Sequence, residues 1–379
     1  MARIVVAGYS IRHPLAGNLI AILHHLLGLH LLGHEVFYVE ESGWERSCYD
    51  PGAQEYTDEP RTGMHAVRTL LDRYGADVPI CYVNRESREM TGARWDELTD
   101  RLHSADLLLN VGGVCWLPEF SLCSRRALID KDPLFTQLGG FGGSLLDEHH
   151  FHFTYGTNIG QPGCSVPLAG VRWLPTVPPV VPDLWESPSS DDLIQAPFTT
   201  IGSLNAYGAV TYQGERYGQK DEEFIRFLNL PHRTPQRLEL TLNGRREDIA
   251  RLHSNGWEVR KSGEISADPE RYRSYIAASR GEFSVAKQAY VKTHSGWFSD
   301  RSVCYLAAGL PVILQETGYS DWLTTTHGVL SFTSIEEAVK CIEHVNSDYE
   351  THRRAARDLA VGMFSHEVVF GRLLETCLN

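Results

Sequence analysis

Two runs of alternating strand-like and helix-like segments, separated by a proline-dense stretch, constrain this chain more than any other feature. Leu174-Pro175-Thr176-Val177-Pro178-Pro179-Val180-Val181-Pro182, then Ser187-Pro188-Ser189-Ser190, carries little periodicity. Proline fixes φ and removes a backbone donor, so residues 174–192 read as a stiff crossing between domains. Before it, residues 3–8 read as a strand, 9–17 as a loop, 18–32 as a helix stopped by Gly33, and 35–40 as the next strand. That is the opening unit of a parallel doubly wound sheet. Further helices are expected at 66–74 and 95–103, and strands at 106–111, 127–130 and 152–155. After the crossing, strands are expected at 198–204, 238–242, 283–285 and 311–315. Helices are expected at 221–228, 246–254, 272–279, 301–308, 334–345, 350–361 and 367–378. The pattern predicts an α/β protein with two domains, residues 1–180 and 193–360, each built on a parallel sheet covered on both faces, and a closing helical segment, 361–379. A chain of 379 residues is also too long for one ordinary core.

The formal net charge is -13. Such a chain gains nothing from counterion release on a phosphate backbone, so no nucleic-acid polymer is expected as a partner. A small phosphorylated ligand needs only a local positive site. None of the 8 cysteines forms a C-x-x-C pair, which speaks against zinc and dithiol motifs. The first eight residues lack the layout of a signal peptide. The longest apolar run, 19–32, is broken by His24, His25 and His30 and is too short to span a bilayer. The expectation is a soluble, cytoplasmic protein with reduced thiols and no integral membrane segment. The sequence leaves its oligomeric state open.

The richest segment is Ser295-Gly296-Trp297-Phe298-Ser299-Asp300-Arg301-Ser302-Val303-Cys304-Tyr305-Leu306-Ala307-Ala308-Gly309-Leu310-Pro311-Val312-Ile313. Ser299 or Ser302 is placed to cap a helix whose first-turn N–H groups attract an anion, and Arg301, beside Asp300, adds positive charge. Gly309 ends that helix. Pro311 starts a strand that delivers Gln315-Glu316-Thr317-Gly318 to its carboxyl end, where open parallel sheets bind ligands. A diphosphate at the helix start, with a polyhydroxylated group read by Gln315 and Glu316, fits this order. An ordinary capped helix with a solvated Asp300–Arg301 pair has the same spacing.

Ala307-Ala308-Gly309-Leu310-Pro311-Val312-Ile313 resembles the A-x-G-x-P-V helix-to-strand passage of GT-B glycosyltransferases. The longer string 295–318 resembles a bacterial branch with the pattern G-W-F-S-D-R-S…Y-L-A-x-G-x-P-V…Q-x-T-G, and looser similarity extends across both domains. The resemblance implies two Rossmann-like domains with parallel sheets facing a central cleft. It makes 282–318 the donor-binding segment of an enzyme that moves a sugar from a nucleoside-diphosphate sugar, by default a UDP-sugar, to a hydroxyl or amine of a small acceptor, by the branch one of secondary metabolism. No cofactor and no metal are implied. Many retaining members carry two glutamates eight positions apart around this helix. Gly296 and Cys304 stand there instead, so those roles do not carry over and the stereochemistry stays open.

The remaining candidates lie in loops. In Tyr212–Phe224, Arg216 and Lys220 match in position and charge a basic pair that reaches the donor phosphates in similar enzymes; a solvated charged loop is the alternative. Lys287, after another strand, is a further phosphate partner or an exposed lysine paired with Glu282. Tyr290, Trp297 or Phe298 is placed to stack on a base or to fill the core. In the loop after the first strand, the resemblance makes His13 the base for an inverting reaction, a task that suits a pKa near neutrality. Gly17 allows close backbone approach to a ligand, and Asn18 is expected to cap the next helix. Asp147 and His150 are acceptor-side candidates. Adjacent histidines at 149, 150 and 152 do not converge on one metal ion from a strand. The glycine-rich 138–144 reads as a mobile loop, without the G-K-[ST] of a P-loop. A nucleotide-sugar epimerase of the same architecture and a non-catalytic nucleotide-sugar binder are alternatives. A dinucleotide oxidoreductase is disfavoured, because Gly8-Tyr9-Ser10-Ile11-Arg12-His13 lacks G-x-G-x-x-G.

Overall fold

A computed structural model describes residues 1–140 and 143–379. Phe141 and Gly142, within the glycine-rich stretch, lie outside the described residues. The chain divides into two compact units. One comprises Met1–Gly160, Pro167–Val181 and His366–Asn379; the other comprises Gln161–Val166 and Pro182–Ser365.

The first unit holds an eight-stranded sheet in the order Trp173–Pro175, Phe151–Thr154, Arg126–Asp130, Leu107–Val111, Arg3–Ala7, Glu35–Glu41, Ile80–Val83 and Met90–Thr91. Only the last of these pairs antiparallel. Val5, Ala7, Phe37, Val39 and Leu108 pack against Leu98, Leu102, Trp116 and Phe120 on one face. The helix Ala16–Leu31 is buried at twelve of its sixteen positions. Its apolar surface runs nearly all round because the terminal helix His366–Leu378 packs on it as well. Gly28 permits that contact: a Cβ there would lie 2.6 Å from His366 Cβ. The helix opens at Leu15, which has no side-chain cap, so Asn18 is not the cap expected from sequence. Asn18 Nδ2 instead reaches back to the His13 carbonyl at 3.1 Å.

The second unit holds a six-stranded, wholly parallel sheet: Glu258–Lys261, Leu238–Asn243, Phe198–Ser203, Gly281–Ser284, Val312–Gln315 and Val329–Phe332. Its core stacks Phe283 on Phe332 with ring centroids 4.9 Å apart, and Phe227 meets Phe332 edge-on. The expected helix over 221–228 is a five-residue α-helix, Lys220–Phe224, that tightens into the 3-10 turn Ile225–Phe227. The proline-dense stretch is not wholly irregular. Trp173–Pro175 pairs as an edge strand, a position that tolerates proline, and Pro182–Leu184 and Asp191–Leu193 form single 3-10 turns. Among the described residues, none of the eight cysteines is in a disulfide. Among the described residues, no helix is long and apolar enough to cross a membrane.

Candidate functional site

Every strand of the second sheet runs the same way, so Ser203, Ser284 and Gln315 end on one edge. From Ser203 the chain makes the hairpin Val210–Tyr212 and Glu215–Tyr217, then returns through Gly218 and Gln219. Helix Gln288–Thr293 holds this return. Gly218 N–H donates to Gln288 Oε1 at 3.2 Å, Ala289 N–H donates to the Gly218 carbonyl at 3.1 Å, and Gln288 N–H donates to the Gln219 carbonyl at 3.3 Å. A Cβ at Gly218 would lie 2.2 Å from the Glu222 carboxylate, so the Glu222 side chain packs over this glycine. Lys220 opens the next helix, and it is only 8% exposed. Lys287 is the N-cap of the bracing helix; its ammonium bonds the Tyr207 hydroxyl and lies 4.3 Å from that ring's centroid.

Helix Asp300–Ala307 supplies the third cation. Ser299 caps it, its Oγ accepting from Arg301 N–H at 3.2 Å. The Arg301 guanidinium turns into the sheet edge. Nε donates to Glu282 Oε1 at 2.6 Å, Nη1 to the Ile201 carbonyl at 2.6 Å and Nη2 to Ser284 Oγ at 2.7 Å. Glu282 is fully buried. Among the described residues its Oε2 has no hydrogen-bond partner, and neither do the buried Ser302 Oγ and Gln219 Nε2. Arg301 thus holds the Glu282 carboxylate directly, and the Lys220 ammonium lies within the field of Arg301, Glu282 and Lys287. Burial holds the Lys220 ammonium well below its usual lysine value; Arg301 pushes the same way, Glu282 opposes, and Lys287 adds a smaller push down. No hydrogen bond or ion pair reaches the Lys220 ammonium among the described residues. An excess of buried positive charge at the carboxyl edge of a parallel sheet suits a compact dianion.

The other second-unit candidates divide. Gln315 is buried and already bonded: its Oε1 accepts from Ala286 N–H at 3.0 Å and its Nε2 donates to Glu223 Oε2 at 2.5 Å. Glu316 Oε1 accepts from Gly318 N–H at 2.6 Å, fixing a turn in which Gly318 has φ 97°. Thr317 Oγ1 donates to the Trp297 carbonyl at 2.7 Å, and Gly296 N–H donates to the Thr317 carbonyl at 2.7 Å. Gly296 has φ 78°, which explains glycine where the resemblance would place a glutamate. The Cys304 thiol is buried, donates to the Asp300 carbonyl and is pushed far up by burial, so it is inert. Asp300 opens the helix, half-buried. Arg216 stays on the exposed hairpin, paired with Glu222 at 2.7 Å, and does not join the cluster. Phe298 and Tyr290 are core residues, while half-buried Trp297 lies against Tyr290 with centroids 4.6 Å apart.

In the first unit, Glu40 shapes the loop after the first strand. Its carboxylate accepts from Ile11 N–H at 2.6 Å, Arg12 N–H at 3.0 Å and the Tyr38 hydroxyl. Arg12 is 1% exposed and donates to the Val114 carbonyl at 2.6 Å. His13 is lowered to about 4, first by burial and then by Arg12, far from the near-neutral value expected of a base. Tyr9 and Tyr56 flank its ring. Gly17 is exposed in the first turn of the following helix. Asp147 is exposed, and His150 accepts from Arg126 N–H at 3.1 Å. His149 and His152 are buried and bond the Leu145 and Leu146 carbonyls at 2.8 Å.

No model of a protein family matches the chain, and no curated protein matches it. Solved structures match over nearly its whole length. An α-glucosyltransferase (AGT) in complex with UDP is 10% identical, with 100% of both chains covered and a TM-score of 0.65. AviGT4, a glycosyltransferase involved in avilamycin A biosynthesis, is 13% identical, with 99% of this chain and 97% of that one covered and a TM-score of 0.59. HepE of Anabaena, in complex with UDP and glucose, is 13% identical, with 99% of each covered and a TM-score of 0.58. The fold is GT-B. Identity this low carries the fold and nothing finer.

On this GT-B frame, Glu282 is the residue whose role the sequence reading missed. Pairing with Lys287 is one of the two alternatives the sequence allows; the structure pairs Glu282 with Arg301. The signal was an acidic side chain inside a short apolar strand, which demands a buried partner. Gln219 and Tyr207 gave no such signal, because their places depend on the hairpin between the first and second strands of the second sheet.

Proposed function

We propose that the protein is a glycosyltransferase that moves a sugar from a nucleoside-diphosphate sugar, a UDP-sugar foremost, to a hydroxyl or amine of a small acceptor. The observation that carries this is the buried Lys220, with half-buried Lys287 and the Arg301–Glu282 pair, at the carboxyl edge of a parallel sheet. Charge develops on the leaving diphosphate as the glycosidic bond breaks. A cation already desolvated there is worth more than one in water. Lys220 takes that role. Lys287, the first-turn amides after Ser299, and Ser302 complete the diphosphate site, with Asp300 and Arg216 at its margin. Arg301 acts at one remove, by holding Glu282. Glu316 reads sugar hydroxyls with its outer oxygen, while Gln315, Thr317 and Gly318 hold its loop. Two lysines and the helix-start amides favour meeting the diphosphate's charge without a metal.

On the first unit, His13 is the base if the reaction inverts. Its low pKa keeps it neutral at working pH but makes it a weak acceptor until charge develops at the reacting centre. Gly17, Asn18, Asp147 and His150 are the acceptor-side residues. HepE is also known in complex with UDP-glucose, which favours uridine in the donor. AGT is also known with UDP and a 13-mer DNA. The net charge of -13 here favours a small acceptor instead. The avilamycin role of AviGT4 favours one of secondary metabolism, and the layout suits a cytoplasmic enzyme.

A thermal-shift panel of nucleosides, nucleoside mono- and diphosphates and their sugars tests the donor half. The melting temperature should rise with the logarithm of diphosphate concentration, and UDP should outperform uridine and UMP. No shift with any nucleoside diphosphate would remove the reading.

A further inference from the structure

We propose that His327, His344 and His352 form a binding site for one transition-metal ion, zinc foremost, on the opposite edge of the second sheet from the cationic cluster. The three residues come from separate elements. His327 precedes strand Val329–Phe332, His344 lies near the end of helix Ile335–Ser347, and His352 lies in helix Tyr349–Gly362. One ligand nitrogen from each lies within 4.8 Å of the other two. Ring centroids are 4.8 Å apart for His344–His352, 5.1 Å for His327–His352 and 5.7 Å for His327–His344.

The backbone is shaped to bring them together. Gly328 has φ 78°, and a Cβ there would lie 2.6 Å from the Ala356 amide nitrogen. Only glycine lets this loop lie against the helix, and that contact sets His327 over His352. Gly328 also feeds the strand ladder, its carbonyl accepting from Val312 N–H at 2.8 Å. His352 is fully buried, and among the described residues its Nε2 has no hydrogen-bond partner. His327 and His344 are exposed, so their rotamers are adjustable. Zinc–nitrogen bonds of about 2.0–2.1 Å put tetrahedral ligand atoms about 3.3 Å apart, so a contraction by the two exposed rings closes the site and leaves a fourth position to water. Coordination through His352 Nε2 puts the proton on Nδ1, which gives up the contact from Gly328 N–H. At 3.3 Å that contact is long, and a coordinate bond exceeds it. Three neutral imidazoles without a thiolate or carboxylate suit zinc, copper, nickel or cobalt rather than magnesium or calcium.

The test is titration of the chelator-stripped full chain with Zn2+ by calorimetry and with Co2+ by visible absorption. The expected result is one Co2+ site with the intense bands of tetrahedral coordination. His327→Ala and His344→Ala, both at exposed positions, should each weaken it by about tenfold or more, at least the effect of losing a supporting partner of a ligand. Exposed His103→Ala should leave it unchanged. Parent-like binding by both the His327 and His344 variants, or a Co2+ spectrum of octahedral type only, would overturn the proposal.

Discussion

Glu282 Oε1 accepts a 2.6 Å hydrogen bond from Arg301 Nε in the interior of the second sheet's carboxyl edge. The pair joins strand Gly281–Ser284 to helix Asp300–Ala307, and Arg301's other donors reach Ile201 and Ser284. Removing one partner of a buried pair leaves an uncompensated charge, which costs about 3–5 kcal/mol. Arg301→Ala should therefore destabilise the protein by roughly that amount. Adding Glu282→Gln should recover part of the loss. Denaturant unfolding of the two variants checks this; equal stability of parent and Arg301→Ala would show that the pair does not support the edge.

Lys220 is predicted to act on the departing group. Lys220→Ala should lower turnover by about 10²–10³, the scale of losing one preorganised donor to developing charge, with a smaller effect on KM. Steady-state kinetics with a UDP-sugar, alongside circular dichroism, separates this from misfolding. Unchanged turnover would take Lys220 out of the mechanism.

Diphosphate binding should also take up a proton. Burial first, then Arg301 and Lys287, hold Lys220 below its usual value in the ligand-free protein. A dianion beside it favours the ammonium form and raises that value. Between the two values, binding draws a proton from solution. Calorimetry with UDP in buffers of different ionisation enthalpy should show an apparent enthalpy that varies with buffer, and in Lys220→Met the variation should vanish. The same depression bears on stability. The unfolded chain binds the Lys220 proton more tightly, so this residue's contribution rises with pH from the folded value up to the ordinary lysine value.

The sheets were legible in the sequence because parallel strands buried on both faces read as short apolar runs between helices with clear periodicity. Helix Arg246–Ser254 matches its expected bounds. Strands Ile80–Val83, Glu258–Lys261 and Val329–Phe332 do not stand out in the sequence; four residues are too few for a period, and Val312–Gln315, equally short, is legible through the Gly309–Pro311 passage before it. The Ser299 cap was readable because capping is local. The direction of Arg301 and the occupied amide of Gln315 were not. Both depend on partners distant in sequence, Glu282 for one and Glu223 for the other. His13 shows the same limit: its place after the first strand is local, whereas its burial follows from how the loop folds on Glu40.

His149 should make the protein acid-sensitive. Its Nδ1–H donates to the Leu145 carbonyl at 2.8 Å, and its Nε2 accepts from Asn110 Nδ2 at 3.2 Å. Those partners select one neutral tautomer, and protonating Nε2 would set two donors against each other. Burial is the main cause that lowers this imidazole to about 4; the Leu145 bond opposes it, while His152 and Arg126 add to it. The folded value lies below the unfolded one of 6.5, so the unfolded chain takes the proton first as pH falls. The stability tied to neutral His149 is whole above pH 6.5 and is lost as pH drops toward 4, by up to about 3 kcal/mol. His13, lowered to a similar value but partly exposed, adds a smaller loss in the same window. Urea unfolding at a series of pH values should therefore give a falling curve between these limits. His149→Gln should lower stability at pH 7 and flatten the fall. A variant that loses stability with acid as steeply as the parent would show that protonation of His149 is not what acid acts on.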